Sequence, residues 1–81
     1  MSEKEIYDGL NEVFREVFDD DTIVVNAQTK SDDIEDWDSL EHIGLIVAVE
    51  NKFGIKFKMN EVTTMKNVGE MVDIIIERRT K

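Results

Sequence analysis

The chain has 81 residues, is 41% hydrophobic, and carries a net charge of −9 from 19 acidic and 10 basic residues. This length fits a single small domain over residues 1–81, and the absence of cysteine excludes disulfides and thiolate metal sites. The acidity excludes a nucleic-acid ligand, because binding nucleic acid needs a cationic face. No apolar run approaches the roughly 18 residues of a membrane span, so we expect a cytoplasmic protein without membrane insertion. We also expect a monomer.

The first predicted helix runs from Ser2 to about Phe18. Ser2 and Glu5 have the spacing of a capping box. Apolar side chains then recur at intervals of three and four residues, which gives one apolar stripe. The stripe consists of Ile6, Leu10, Val13, Phe14 and Val17. Three aspartates at 19–21 end the helix, because carboxylates are disfavoured at the negative end of the helix dipole.

A long loop follows, from Asp19 to Trp37, with no helical periodicity. Residues 22–25 are β-branched, but a single short segment without a partner does not make a stable sheet. We interpret them as an apolar plug within the loop. The loop has few apolar anchors, so we expect it, together with the second helix, to be the mobile, partner-sensing part of the molecule. Loops of this length tend to be functional. This one leads to Ser39.

Three further helices are predicted after the loop. The second has Asp38 as N-cap with Glu41 three residues later, and it ends at Phe53 before a left-handed Gly54. A brief third helix is capped by Asn60 and carries Val62 and Met65. Asn67 and Glu70 cap the last helix, whose apolar stripe is Val68, Met71, Val72 and Ile75. Together they predict an all-α fold, a small four-helix bundle of three main helices and one short one, with a long first loop.

The second helix has two apolar groups of side chains. Leu45, Ile46, Val49 and Phe53 share one face and are predicted to enter the core. Leu40, Ile43 and Val47 form a second stripe about 100° or more around the helix. An apolar stripe left over on an acidic domain indicates a docking surface. The alternative is that this stripe packs against the long loop.

Ser39 and His42 are one turn apart on the second helix, the spacing of a nucleophile and its base. We favour a structural role for His42, because no glycine-rich turn supplies an oxyanion site and the carboxylates lie on loops and solvated faces. We therefore predict no catalytic residue and no metal site. A phosphate attached at Ser39 would be stabilised by the free N–H groups and the dipole of the helix start. On spacing alone, attachment at Ser39 and a simple role in starting the helix remain equally open.

The segment Asp38-Ser39-Leu40 resembles the Asp-Ser-Leu motif of the acyl carrier protein family. The run Ile43 to Val49 and the following Glu50-Asn51-Lys52-Phe53-Gly54-Ile55 are similar to that family's second helix and its Phe-Gly-Ile ending. The order of helices and loop matches over nearly the whole chain. Since Trp37, Gly44 and Lys52 depart from the usual pattern of fatty-acid-synthesis carriers, the chain looks more like a stand-alone carrier of a specialised pathway.

The resemblance implies a carrier and not an enzyme. A phosphopantetheinyl transferase, using coenzyme A and magnesium, would attach a 4′-phosphopantetheine arm to Ser39, and the arm's thiol would hold acyl groups as thioesters. The same resemblance makes Leu40, Ile43 and Val47 partner-facing. Asp38 and Glu41 lie beside Ser39, and we expect them to form the acidic rim of the same partner-binding patch. The implied partners are the transferase, a loading ligase and acyl-using enzymes of lipid, polysaccharide or other specialised biosynthesis, each with a basic docking patch. An aminoacyl or peptidyl carrier, a helical adaptor without a prosthetic group and a Ser39–His42 hydrolase are the alternatives.

Overall fold

The computed structural model describes residues 2–34 and 37–80. Within these residues the chain forms four α-helices and one 3-10 turn, and it contains no β-strand. The helices are α1 (Glu3–Val17), α2 (Ser39–Phe53), α3 (Met59–Thr64) and α4 (Val68–Thr80), and the 3-10 turn is Ser31–Asp33. The predicted all-α bundle with a long loop before the second helix is confirmed. No helix in the described ranges is long and apolar enough to cross a membrane.

Helix α1 begins at the predicted capping box. Ser2 Oγ accepts the N–H of Glu5 at 3.2 Å, and the Glu5 carboxylate accepts the N–H of Ser2 at 3.2 Å. The helix ends where expected, but backbone geometry supplies the reason. Asp19 adopts a left-handed φ of 51°, and the Asp20 N–H donates to the Arg15 carbonyl at 3.0 Å. This hydrogen bond closes the last turn in the manner of a Schellman motif.

Helix α2 has the predicted limits. Asp38 is its N-cap, with Oδ1 accepting the Glu41 N–H at 2.8 Å. Gly54 follows Phe53 with φ 66°, a conformation that other residues rarely adopt. The N–H groups of Gly54 and Ile55 both donate to the Glu50 carbonyl, at 2.8 and 3.2 Å. These bonds satisfy the Glu50 carbonyl, and Nη1 of Arg79 in α4 donates to the Phe53 carbonyl at 3.0 Å.

The predicted start of α3 is wrong. The helix begins after Lys58 and not after Asn60, and Met65 lies just beyond its end. The reason is the carboxylate of Glu61, which accepts the Lys58 N–H at 2.8 Å and so starts the helix two residues early.

Helix α4 starts at the predicted cap, where Asn67 Oδ1 accepts the Glu70 N–H at 3.0 Å. The long loop also takes part in this helix start. The N–H of Val68 donates to the Thr29 carbonyl at 2.8 Å, and the N–H of Gly69 donates to the Ala27 carbonyl at 3.0 Å. Loop carbonyls thus satisfy two of the N–H groups that a helix start leaves without partners.

The core lies between α1, α2 and α4, with α1 packing against the other two. The predicted core residues of α2 and α4 are all buried, and so are all those of α1 except Val17, which is half-buried. Phe18, Val25, Trp37 and Ile55 complete the core from the connecting segments. Helices α1 and α2 approach closely at Gly9, where an added Cβ would lie 2.8 Å from the ring of Phe53.

The loop before α2 is tied to the bundle at more points than its apolar residues predict. The Val25 N–H donates to Asn11 Oδ1 at 2.7 Å, and Arg15 Nε donates to the Ile23 carbonyl at 2.8 Å. The interpretation of residues 22–25 as an apolar plug is correct only for part of the segment. Val25 is buried, whereas Val24 is 69% exposed. Polar side chains of α1, and not a continuous apolar segment, position this part of the loop.

Two glycine substitutions test the close approach of α1 and α2. Gly44 lies in α2 with nothing within 4 Å of an added Cβ, so Gly44→Ala should raise the free energy of unfolding by about 1 kcal/mol. Gly9→Ala gains the same helix propensity, but its methyl group would overlap the ring of Phe53, and overpacking costs about 1–3 kcal/mol. Chemical denaturation should place Gly9→Ala at or below wild type. Equal stabilisation by both changes would contradict the close contact between Gly9 and the ring of Phe53.

Candidate functional site

Ser39 is the first residue of α2 and is exposed. Its position is fixed by two hydrogen bonds that Asp38 accepts. Asp38 before it caps the helix through the N–H of Glu41, and the Asp38 carbonyl accepts the first intrahelical hydrogen bond, from the His42 N–H at 2.9 Å. A rigid backbone therefore presents the Ser39 hydroxyl at the positive end of the helix dipole.

Trp37 anchors the chain two residues before Ser39. Its indole is buried and meets the ring of Phe14 edge-on, with centroids 5.2 Å apart and an angle of 82°. The indole also lies near Phe18, at a centroid distance of 6.3 Å. This is a favourable aromatic arrangement. Trp37 thus holds the end of the long loop against α1.

His42 connects this loop end to α2 and α3. The indole Nε1 of Trp37 donates to Nδ1 of His42 at 3.0 Å, and Nε2 of His42 lies 3.1 Å from the Val62 carbonyl. An indole nitrogen can only donate, so Nδ1 must be the unprotonated acceptor. Nε2 then carries the proton and donates to Val62. The imidazole is neutral and has both nitrogens engaged.

These contacts remove His42 as a base for Ser39. Its acceptor nitrogen is occupied by Trp37, and its donor nitrogen by α3. A hydrolytic pair would need a hydrogen bond between the serine hydroxyl and a free imidazole nitrogen. The prediction of a structural role for this histidine is therefore supported, although the sequence did not indicate either partner.

An open cavity of about 650 Å³ lies beside Ser39, between α2, α3 and the end of the loop. Ser39 and the Trp37–His42 pair line it on one side, and residues of α3 and the α3–α4 connection line the other. The second group comprises Met59, Val62, Thr63, Met65, Lys66 and Asn67. These residues are not predicted from the sequence to belong to the site, because the position of α3 relative to α2 is set by tertiary contacts.

The second apolar stripe of α2 is exposed as predicted. Leu40 is 77%, Ile43 60% and Val47 50% exposed, so the stripe does not pack against the loop. Met59 of α3 is 78% exposed, and it lines the same cavity as Ile43. Asp38 is exposed and Glu41 half-exposed at the same end of α2. The described surface around Ser39 is therefore apolar with acidic residues beside it.

Helix α3 has no fully buried residue, so its position depends on hydrogen bonds and an ion pair to α2 and α4. Nη2 of Arg78 in α4 donates to both carboxylate oxygens of Glu61, at 2.8 and 2.7 Å. The two side chains are only 23% and 20% exposed. The Arg78 guanidinium, together with the Lys58 N–H, holds the pKa of Glu61 below its usual range. With the His42–Val62 hydrogen bond, this ion pair sets the far wall of the cavity.

Comparison with known proteins is consistent with this geometry. Residues 8–75 match the family described as "Phosphopantetheine attachment site". The chain is 39% identical to an acyl carrier protein of Acidothermus cellulolyticus over 93% of its own length and 89% of the relative's. It is 31% identical to a meromycolate extension acyl carrier protein of Mycolicibacterium aurum, over 91% and 76% of the two lengths.

The fold is also similar to a solved structure. The solution structure of a holo acyl carrier protein from Geobacter metallireducens superimposes with a TM-score of 0.82 and 44% identity, over 89% of this chain and 83% of that one. The chain therefore belongs to the acyl carrier protein family of phosphopantetheine-binding proteins. It is a carrier with a phosphopantetheine prosthetic group and not an enzyme, and the interactions implied are with a phosphopantetheinyl transferase and acyl-using enzymes.

The ion pair between Glu61 and Arg78 gives a pH-dependent prediction. Because the pKa of Glu61 is lowered in the folded protein, its contribution to stability is complete above the ordinary glutamate value of about 4.3 and is lost as the pH falls through the folded value. Glu61→Gln should lower the melting temperature at neutral pH, and this deficit should shrink near pH 3. Thermal unfolding followed by circular dichroism measures both.

Glu12→Gln is the matched control. Glu12 pairs with Lys52 at 2.7 Å, but the two side chains are 66% and 43% exposed. Exposed pairs contribute little, so this change should leave the melting temperature nearly unaltered. If Glu61→Gln lowers the melting temperature as little as the control does, or by an amount independent of pH, the ion pair of Glu61 with Arg78 does not stabilise the fold as described.

Proposed function

We propose that Ser39 is the residue that carries the 4′-phosphopantetheine arm. The observation that carries this proposal is the exposed position of Ser39 at the start of α2, beside the open cavity. Ser2, by contrast, is used to cap α1 through the Glu5 N–H. The motif Asp38-Ser39-Leu40 supports the same assignment.

The residues around Ser39 fit a phosphodiester and an extended arm. The N–H groups of Ser39 and Leu40 have no intrahelical acceptor, and with the helix dipole they favour a negative group. The cavity offers both apolar side chains, such as Ile43 and Met65, and polar ones, such as Asn67. The bound arm supplies the thiol that the cysteine-free chain lacks, and acyl groups are carried on it as thioesters.

The exposed stripe of α2 is proposed as the docking surface for partner enzymes. Leu40, Ile43 and Val47 provide the apolar centre, and Asp38 and Glu41 provide acidic groups beside it. Partners that reach Ser39 would present an apolar pocket with basic residues at its edge. Charges at the edge of an interface mainly accelerate encounter, whereas a buried aliphatic contact mainly slows dissociation.

The pathway is proposed to be a specialised one, in lipid, polysaccharide or related biosynthesis, and the carrier to act as a monomer. Two features of α2 support a specialised pathway. Gly44 is exposed and uncharged, and Lys52 forms an ion pair with Glu12 of α1. Both reduce the acidity of a helix that resembles the more acidic one of fatty-acid-synthesis carriers. One relative is named a meromycolate extension acyl carrier protein.

Attachment at Ser39 is tested by intact mass after incubation with coenzyme A, magnesium and a broad phosphopantetheinyl transferase. Wild type should gain one arm, and Ser39→Ala should gain none while keeping its circular dichroism spectrum. Ser31→Ala is the matched control, because Ser31 is an exposed serine lining the same cavity. An arm that persists in Ser39→Ala would end the proposal at this residue.

Docking is tested by placing a charge in the apolar stripe. Val47→Asp should slow modification by shortening the lifetime of the complex with the transferase, since a charge in a desolvated contact is costly. Glu41→Lys should instead lower the association rate and weaken its dependence on salt. Stopped-flow or surface-binding kinetics separate the two effects.

Val24→Asp is the control for the docking variant. Val24 is 69% exposed but lies in the long loop and not on α2. It should be modified at the wild-type rate. Circular dichroism must show that each variant folds; a folded Val47→Asp that is modified as fast as Val24→Asp would refute the docking surface.

A further inference from the structure

The contact between Trp37 and His42 exists only for one protonation state of the imidazole. The indole Nε1 donates to Nδ1 at 3.0 Å, and Nε2 donates to the Val62 carbonyl at 3.1 Å. A second proton would occupy Nδ1 and turn it into a donor. Two donors would then face each other, and this hydrogen bond cannot form.

The geometry of the two rings offers no compensating attraction. Their centroids are 5.8 Å apart and their planes differ by 29°, while the nitrogens are at hydrogen-bond distance. The rings therefore lie edge to edge, and the imidazole meets the electropositive edge of the indole. A cation–π interaction needs the cation over the face of the ring. Protonation of His42 would repel the indole.

The two hydrogen bonds of His42 respond differently to protonation. Nε2 donates to the Val62 carbonyl in both the neutral and the charged form, so the tie to α3 survives. The loss falls on Trp37, a residue that is 8% exposed and would keep a buried donor without a partner. The consequence is a looser end of the loop, immediately before Ser39.

We infer that His42 is a pH-sensitive positioning residue for Ser39. In its neutral form it fixes Trp37 and thereby the chain that enters α2 and one wall of the cavity; in its charged form it releases the indole. The contact is compatible only with the neutral ring, so protonation at acid pH works against it. The functional meaning rests on the proposed attachment at Ser39, whereas the contact itself does not.

Charged groups near the pair come from several elements. Asp38, before α2, lines the cavity beside the pair, and Glu41 precedes His42 in the sequence of α2. Lys66, between α3 and α4, lines the same cavity. Glu61 of α3 is committed to Arg78 of α4, and α1 presents aromatic rings to the indole. A control that changes only the imidazole leaves all of these groups in place.

The contact is tested by NMR on the unmodified full chain. Trp37 is the one tryptophan, so the indole N–H gives a single side-chain resonance. In wild type this resonance should move upfield as the pH is lowered, in step with the resonances of the His42 ring protons. In His42→Gln, whose amide can accept and donate but does not titrate, its position should not change. An immobile wild-type resonance, or an equal movement in His42→Gln, would overturn the inference.

The positioning of Ser39 is tested by the rate of arm attachment with coenzyme A, using one transferase at both pH values. The ratio of the wild-type rate to the His42→Gln rate should fall severalfold from about pH 7.5 to pH 5.5. A constant ratio despite a moving indole resonance would refute positioning. If neither protein gains an arm, the proposed attachment fails, while the NMR titration still decides the contact. Trp37→Phe, which keeps an aromatic ring and removes the donor, replaces His42→Gln in this rate measurement if that variant does not fold.

Discussion

The burial of Trp37 is the constraint on which the site depends. A loop that leaves α1 at Phe18 must return to the bundle at one defined point before α2 can start. The indole provides that point, because it packs against Phe14 of α1 and donates to His42 of α2. A large amphipathic side chain satisfies both demands, with its body in the core and its N–H on a polar partner. Asp38 and Ser39 are the next two residues, so the position of the indole determines where α2 starts.

The rest of the loop is organised by polar groups rather than by apolar burial. Asn11 and Arg15 of α1 hold two of its backbone groups, and its own carbonyls at residues 27 and 29 cap the start of α4. Each hydrogen bond contributes little by itself, about 1 kcal/mol. Their distribution along the loop nevertheless connects α1, the loop and α4, so that the loop is part of the bundle's structure.

The sequence predicts the helices well where local signals are strong. The capping residues Ser2, Asp38 and Asn67 and the left-handed Gly54 give correct helix limits, because these interactions lie within a few residues of one another. The start of α3 is predicted wrongly, since Lys58 gives no capping signal and the Glu61 carboxylate supplies the interaction. The hydrogen bonds between the loop and α1 are not predicted from the sequence for a different reason. Asn11 and Arg15 have the pattern of solvent-exposed helix residues, and only the folded position of the loop gives them partners. The same holds for His42, whose partners Trp37 and Val62 are brought together by the tertiary fold.

The placement of the lone tryptophan has a practical consequence. An indole that is buried, bonded to an imidazole and located two residues from Ser39 is an intrinsic fluorophore at the site itself. Its emission depends on the polarity around the ring and on quenching by neighbouring groups. The intrinsic fluorescence of Trp37 can therefore be used to follow events at the start of α2, without an attached dye, in titrations with any partner that lacks tryptophan.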